Sequence, residues 1–173
     1  MKYSYSARVF HWLMALVIIV AFALAFYMTS LSKEGENRLF FYSMHKSFGV
    51  LALILIVARI INRFFHKPPQ LPAEVPAYIV KLSKITHFLL YLLMFLTPIS
   101  GYLMSNYYGY PVKLFGMVLP TLVTTNFDLA KNFSELHEFF AFTLLALVVL
   151  HLLAVVKHHF IGANKFPILK RML

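Results

Sequence analysis

Four long apolar stretches constrain the fold of this 173-residue chain more than any other feature. They cover about residues 9–29, 39–61, 78–104 and 136–157, and each reaches the roughly 20 apolar residues that a helix needs to cross a bilayer. Only 13% of the residues are charged, against about a quarter in a soluble domain. The pattern predicts an all-α integral membrane four-helix bundle that forms one domain over residues 1–173.

The first apolar stretch is expected to remain in the protein as a membrane span. It is too long for the apolar region of a signal peptide and lacks a small-residue cleavage site. It also carries His11 and Trp12, which are unusual in a segment meant for removal.

Charged residues between the stretches predict the orientation of the bundle. The N-terminus, the second connection and the C-terminus carry eleven of the sixteen basic residues and a single acid, Glu74. The first and third connections carry five basic residues and five acids. The positive-inside rule therefore places both termini in the cytoplasm. The net charge of +10 is accordingly assigned to lipid contact and orientation, and not to nucleic-acid binding.

The third stretch and the connection after it have features beyond membrane spanning. Pro98 and Gly101 predict a kink or a close helix contact, and not a break. The connection, from about residue 105 to 134, is the longest in the chain, and loops of that length are usually functional. Its aromatic part, residues 107–117, is too short to span and is expected to lie as a cap at the outer interface, where Tyr is favoured.

Histidines inside the predicted spans carry the chemistry. Ionisable groups at membrane depth are costly, and they usually face the bundle interior and mark function. A single such histidine could be a hydrogen-bonded packing residue, but a group of five favours ligands. The five are His11, His45, His87, His137 and His151.

The depths of four of these histidines match in pairs. His137 and His151 are fourteen residues apart on one helix, which corresponds to about 21 Å and to roughly 40° short of four full turns. Both rings therefore leave the same helix face. His45 begins the second span at the outer level of His137, and His11 begins the first span at the inner level of His151.

Each level can hold one haem with two axial histidines. We predict an outer haem between His45 and His137 and an inner haem between His11 and His151. Without cysteines, covalent c-type haem and iron–sulfur clusters are excluded, so the prediction is two non-covalent haem b groups. Two imidazoles without carboxylate or thiolate partners make a poor zinc or di-iron site. Gly49, one turn from His45, leaves room for a porphyrin.

The fifth intramembrane histidine, His87, has two alternative roles. His87 lies at the inner level, where it could replace His11 as a haem ligand or hydrogen-bond a quinone or a haem propionate. His158 lies seven residues after His151, on about the same face. The pair His87 and His158 would suit the two carbonyl groups of a quinone, and anchoring at the interface is the alternative role.

Basic residues at the span ends are candidate partners for haem propionates or small anions. Arg8, Arg59 and Arg63 lie at the inner edge, and Arg38 and Lys46 at the outer edge. Each could instead be a snorkelling anchor or an orientation charge.

These residues resemble a known family, the bacterial cytochrome b561 group, which is related to the b-type subunits of membrane hydrogenases and formate dehydrogenases. The resemblance covers essentially the whole chain and is specific in combination. Its pieces are Arg8-Val-Phe-His11-Trp12, Met44-His45-Lys-Ser-Phe-Gly49, Ile85-Thr-His87-Phe-Leu-Leu-Tyr91, Leu136-His137-Glu138 and His151-Leu-Leu-Ala-Val-Val-Lys-His158-His159-Phe.

The resemblance implies two b haems stacked across a bacterial inner membrane, with ligands from the first, second and fourth spans. One branch of the family is a superoxide oxidase, which takes electrons from superoxide outside and reduces ubiquinone. This implies an oxidoreductase in which the outer cations Arg38, Lys46, Lys113 and Lys131 could steer a small anion, although the outer acids balance them in number. No individual catalytic residue is indicated.

A second hypothesis is an anchor and electron relay for a separate dehydrogenase or c-type cytochrome. Such a partner protein would dock on the long outer connection. A third hypothesis, a transporter or scaffold without haem, would show no haem absorbance.

Overall fold

The protein consists chiefly of four long helices. The computed structural model describes residues 2–32, 35, 37–69, 75–160 and 169–173. All four helices are long and apolar enough to cross a membrane, which confirms the predicted all-α four-helix architecture. The helices are α1 (Tyr5–Ser30), α2 (Arg38–Phe65), α3 (Ala77–Tyr107) and α4 (Phe127–Phe160); two short strands, β1 (Lys113–Leu114) and β2 (Met117–Val118), and a 3-10 turn, Leu169–Arg171, complete the described structure.

Successive helices run in opposite directions. Ser6 near the start of α1 donates a hydrogen bond to Asn62 near the end of α2, at 2.8 Å. The backbone N–H of Tyr3 donates to the carbonyl of Arg171 at 3.1 Å, so both ends of the chain meet at one end of the bundle. We name this the termini end, and the opposite end, which carries β1 and β2, the hairpin end.

The helix boundaries extend beyond the predicted spans, most of all in α4. This helix begins at Phe127, and the connection before it covers residues 108–126, so the predicted limits of 105 and 134 were too wide. The side chain of Asn126 accepts the backbone N–H of Leu129 at 3.0 Å and caps the helix. The first turns of α4 are polar, and hydropathy detects only the part that can cross lipid. Helix α3 passes through Pro98 without a break, as predicted.

The apolar core lies between the two ends and draws on all four helices. Leu144 of α4 is buried in it and lies midway along the chain between His137 and His151. Large apolar side chains elsewhere face outward, as is typical of helices in contact with lipid. The buried core residues are Met14, Val17, Leu55, Ile56, Leu90, Leu93, Met94 and Leu144.

The aromatic connection, predicted to be a cap, forms a β-hairpin fastened to α2. Ser47 is completely buried, and its Oγ lies 2.9 Å from the carbonyls of Ser43 and Lys113. The same Oγ accepts the backbone N–H of Phe115 at 3.0 Å. Phe115 and Gly116 have φ of +47° and +101°, the positive values that a two-residue hairpin turn requires. One hydroxyl group therefore links the hairpin to the start of α2.

Replacing Ser47 with Ala should loosen the hairpin. The variant leaves the partly buried N–H of Phe115 without its acceptor, which costs about 1 kcal/mol. We expect a lower Tm in detergent and faster tryptic cleavage at Lys113. Ser30→Ala is the matched control, because the Ser30 hydroxyl is exposed and bonds the carbonyl of Tyr27 within its own helix. Equal Tm and cleavage rates in the two variants would contradict the anchoring role.

Candidate functional site

Two histidines face each other at the hairpin end. The ring centroids of His45 in α2 and His137 in α4 are 6.3 Å apart. Nδ1 of His45 lies 3.0 Å from the carbonyl of Ala21, and Nδ1 of His137 lies 2.8 Å from the carbonyl of Thr97. A carbonyl accepts only, so in both rings Nδ1 carries the proton and Nε2 keeps a free lone pair. This hydrogen bonding is typical of histidines that bind a metal through Nε2.

Three histidines meet at the termini end. The ring centroids of His11 in α1 and His151 in α4 are 6.4 Å apart. His87 in α3 lies closer, with its ring centroid 5.5 Å from that of His151. The structure therefore brings together both residue pairs that the sequence indicated, with His87 beside the second pair. Among the described residues, no group of three or more His, Asp or Glu side chains could hold a bare metal ion.

The ring separations fit two axial ligands on one haem iron. A first-row metal binds an imidazole nitrogen at about 2 Å, and with roughly 1 Å more to each ring centre, opposed rings are about 6 Å apart. The separations of His45 from His137 and of His11 from His151 match this value. The 5.5 Å between His87 and His151 is shorter. The pair His45 and His137 and the pair His11 and His151 therefore each have the ring separation of bis-histidine haem.

Hydrogen bonding at the termini end differs from that at the hairpin end. Nη2 of Arg59 lies 3.0 Å from Nδ1 of His11, and because arginine only donates, His11 accepts at Nδ1. Nδ1 of His87 instead lies 2.6 Å from the carbonyl of Ser83, so His87 has the free Nε2 of a ligand. Ring separation favours His11 as the partner of His151, whereas hydrogen bonding favours His87.

Two glycines shape the space around the hairpin-end pair. A Cβ atom on Gly101 would lie 2.8 Å from Cε1 of His137, closer than real contacts allow, so only glycine lets α3 approach this ring. A Cβ atom on Gly49 would meet nothing within 4 Å. Open space therefore adjoins α2 one turn after His45, which suits a flat macrocycle held by this pair.

Two arginines bring positive charge to the termini-end histidines. The guanidinium carbon atoms of Arg59 and Arg63 lie 5.1 Å and 5.5 Å from the centroid of the Tyr91 ring. Arg59 also contacts His11. Both cations are thus held where an acidic group of a bound cofactor could pair with them.

The other predicted site residues have different surroundings. Nζ of Lys46 lies 5.4 Å from the centroid of the Tyr110 ring, over the hairpin-end connection. Arg8 donates to a backbone oxygen of Leu173, so its contact is with the C-terminal segment. The side chain of His158 lies outside the described residues, and its predicted pairing with His87 remains a prediction.

The sequence did not reveal the partners that orient the histidine rings. The acceptors at the hairpin end are backbone carbonyls, which any residue carries, so Ala21 and Thr97 leave no signal in the sequence. The hydroxyl of Ser83, which lies 3.3 Å from Nδ1 of His87, could have been found, since Ser83 precedes His87 by four residues and so shares its helix face. Gly101 predicted a close contact on α3, but the sequence did not show that the contacting group is the His137 ring.

These features define a class of protein. Facing helices of a membrane bundle hold histidines in pairs at two levels, with the spacing that haem iron requires and, at the hairpin end, with free Nε2 atoms. This class is the membrane-bound b-type cytochrome.

Comparison with known proteins identifies the family within this class. The profile described as "Prokaryotic cytochrome b561" matches residues 2–173. The chain therefore belongs to the prokaryotic cytochrome b561 family, which confirms the resemblance seen in the sequence. It is a multi-pass membrane protein of electron transport that binds b-type haem.

Individual relatives match over nearly their whole length. "Cytochrome b561 homolog 2" of Escherichia coli (strain K12) is 35% identical over 99% of this chain and 91% of its own. "Probable superoxide oxidase CybB" of Yersinia pestis is 28% identical over 92% and 90%. "Cytochrome b561 homolog 1" of Escherichia coli (strain K12) is 22% identical over 92% and 91%.

Replacing Gly101 with Ala should disturb the hairpin-end pair. The added methyl group collides with the His137 ring, and overpacking of this kind costs about 1–3 kcal/mol. We expect a lower Tm and less haem per chain, measured by the pyridine haemochrome assay. Ala154→Val enlarges an exposed position of α4 and serves as the control. Unchanged haem content and Tm in Gly101→Ala would show that this contact is not tight.

Proposed function

We propose that the chain holds two non-covalent haem b groups and passes single electrons from superoxide, outside the cell membrane, to ubiquinone. One haem would be held by His45 and His137 and the other by His11 and His151. The observation that carries this proposal is the presence of two facing ring pairs at 6.3 Å and 6.4 Å. The positive-inside pattern supports a cytoplasmic termini end and an outer hairpin end in the bacterial inner membrane.

The chain contributes orientation and exclusion of water. Haem, when bound, supplies one-electron redox chemistry. The carbonyls of Ala21 and Thr97 fix the rings of the hairpin-end pair in the ligand form. The apolar core between the levels keeps water from the path between them, and the hairpin covers the start of α2.

Two observations support superoxide as the electron donor. A relative 28% identical over most of its length carries the name "Probable superoxide oxidase CybB". In addition, Lys46 follows His45 directly and lies at the hairpin end, where a cation attracts a small anion. The reaction balances as two superoxide ions, one quinone and two protons giving two dioxygen molecules and one quinol. Each superoxide ion loses one electron.

The termini end supplies groups suited to a quinone. His87 lies beside His151, and since its Nδ1 is bonded to Ser83, its free Nε2 can accept the O–H of a quinol. Arg59 and Arg63 are donors for a quinone oxygen at the same level. His158, predicted from its spacing, would complete this site.

The direction of electron flow explains the need for a reactive donor. An electron that moves from outside to inside opposes the usual membrane potential by about 2.3 kcal/mol per 100 mV. Superoxide is a strong enough reductant to drive this transfer. A weak donor would not reduce quinone at the cytoplasmic side.

An electron relay for a partner protein is the second candidate function. Its support is an exposed apolar surface on the connection at the hairpin end, where such a partner would dock. Stable co-purification with a dehydrogenase or a c-type cytochrome would favour this function over superoxide oxidation. The surface consists of Phe115, Met117, Val118 and Leu122, whose exposed fractions are 53%, 62%, 63% and 63%.

Single replacements of the four proposed ligands by Ala should each remove one haem. We expect the pyridine haemochrome count to fall from two per chain to one, because an iron with one axial ligand is held weakly. His45→Ala and His137→Ala should lose the same haem by its EPR signal, and His11→Ala and His151→Ala the other. Four variants with unchanged haem content would defeat the assignment.

The matched variant for this series is His87→Ala. It should keep both haems if His87 contacts quinone and not iron. Loss of one haem in His87→Ala, together with full content in His11→Ala, would assign the ligand role to His87 instead.

Reversing the charge of Lys46 should slow the reaction with superoxide. We expect Lys46→Glu to lower the rate of haem reduction by up to about tenfold at low ionic strength, with a smaller effect at high salt because salt screens exposed charges. Stopped-flow absorbance measures the rate. Lys81→Glu makes the same change at an exposed position near the start of α3 and should react normally. Equal rates in both variants would remove Lys46 from the path of superoxide.

A further inference from the structure

The two histidine pairs differ in what their Nδ1 atoms contact. At the hairpin end, both Nδ1 atoms donate to backbone carbonyls, which fixes the ligand tautomer and makes each ring a stronger donor to a metal. At the termini end, Nδ1 of His11 faces a guanidinium group at 3.0 Å. Arg59 favours the ring form with its proton on Nε2, the nitrogen that iron needs. A His11 ring that binds iron must therefore move this proton to Nδ1, where the guanidinium offers no acceptor, so His11 would be the weaker donor.

The charge of Arg59 is not neutralised by a nearby acid in the described part of the chain. The described acidic side chains are Asp128, Glu135 and Glu138, and all three lie in the first turns of α4, at the hairpin end; the carboxylate of Leu173 contacts Arg8. Arg63 adds a second cation over the same Tyr91 ring. Two arginines thus accompany the termini-end pair, whereas the cation beside the hairpin-end pair is Lys46, whose Nζ lies over the Tyr110 ring and whose charge does not contact Nδ1 of either histidine.

The different Nδ1 contacts and the nearby arginines would both make iron at the termini end easier to reduce. Reduction from the ferric to the ferrous state removes one positive charge from the site. A neighbouring cation therefore favours the reduced state, and so does a weaker axial donor. A carbonyl that accepts from Nδ1–H strengthens the donor and favours the oxidised state.

We propose that Arg59 acts through His11 as a positioning residue that makes the termini-end haem the more easily reduced of the two. This inference rests on the proposed two-haem function and gives it a direction. His45 and His137 would hold the haem that is oxidised by loss of one electron, and His11 and His151 the haem that is reduced by gaining it. No bond or proton changes place in this step, and it runs from the side of superoxide to the side of quinone.

The test is a potentiometric titration of the purified haem-loaded protein, with the two low-spin haems followed separately by EPR. Arg59→Gln removes the charge and offers an amide oxygen that can accept from Nδ1–H of His11, as a backbone carbonyl does. We expect the termini-end haem to become at least tenfold harder to reduce, a shift of about 59 mV to lower potential for one electron. The hairpin-end haem should not shift.

Arg63→Gln is the matched control. It removes the same charge near the same Tyr91 ring, whereas the contact with His11 is made by Arg59. We expect less than half of the shift seen in Arg59→Gln. Arg59→Lys, which keeps a cation at this position, should stay close to the unchanged protein.

Several results would overturn the inference. An equal shift in Arg63→Gln would show a general charge effect that does not act through His11. Loss of the termini-end haem from Arg59→Gln would show that Arg59 holds the acidic groups of the cofactor, since removal of a competitor should strengthen His11 as a ligand. Fewer than two haem components in the unchanged protein would instead overturn the proposed function, and this inference with it.

Discussion

Imidazole rings that face each other between helices are the constraint on which the rest of the structure depends. A histidine in a membrane span is tolerated when a partner satisfies it, and each of the four rings has a second ring at about the distance that one iron atom spans. Helix α4 supplies one member of each pair from a single face. The apolar core, the glycines and the hairpin are arranged around these two levels.

Much of this arrangement could be predicted from the sequence. The number of helices followed from apolar stretches long enough to cross a bilayer, and the shared face of His137 and His151 followed from their spacing of fourteen residues. Their nearness to His45 and His11 required only the alternating direction of successive spans. These features depend on helix periodicity and membrane thickness, both of which act locally along the chain.

Other features depend on tertiary contacts that leave no pattern in the sequence. Strands of two residues, such as Lys113–Leu114, are too short to show alternation, and a turn at Phe115 has positive φ without the usual glycine at that position. The contact between Arg59 and His11 depends on the reach of a long side chain across two helices. Hydropathy also missed the polar first turns of α4, because they lie outside the apolar stretch.

The bundle consists of two pairs of helices, α1 with α2 and α3 with α4, and this division has a consequence for its biogenesis. Helix α1 packs mainly on α2, and α3 mainly on α4, with a smaller seam between α2 and α3. Both histidine pairs join a helix of the first half to α4 in the second. Under the two-haem proposal, each haem would join the pair α1 and α2 to α4. Assembly of the bundle in the membrane would therefore depend on the supply of haem. Without haem, the two halves would be joined by the seam between α2 and α3 and by the shared apolar core.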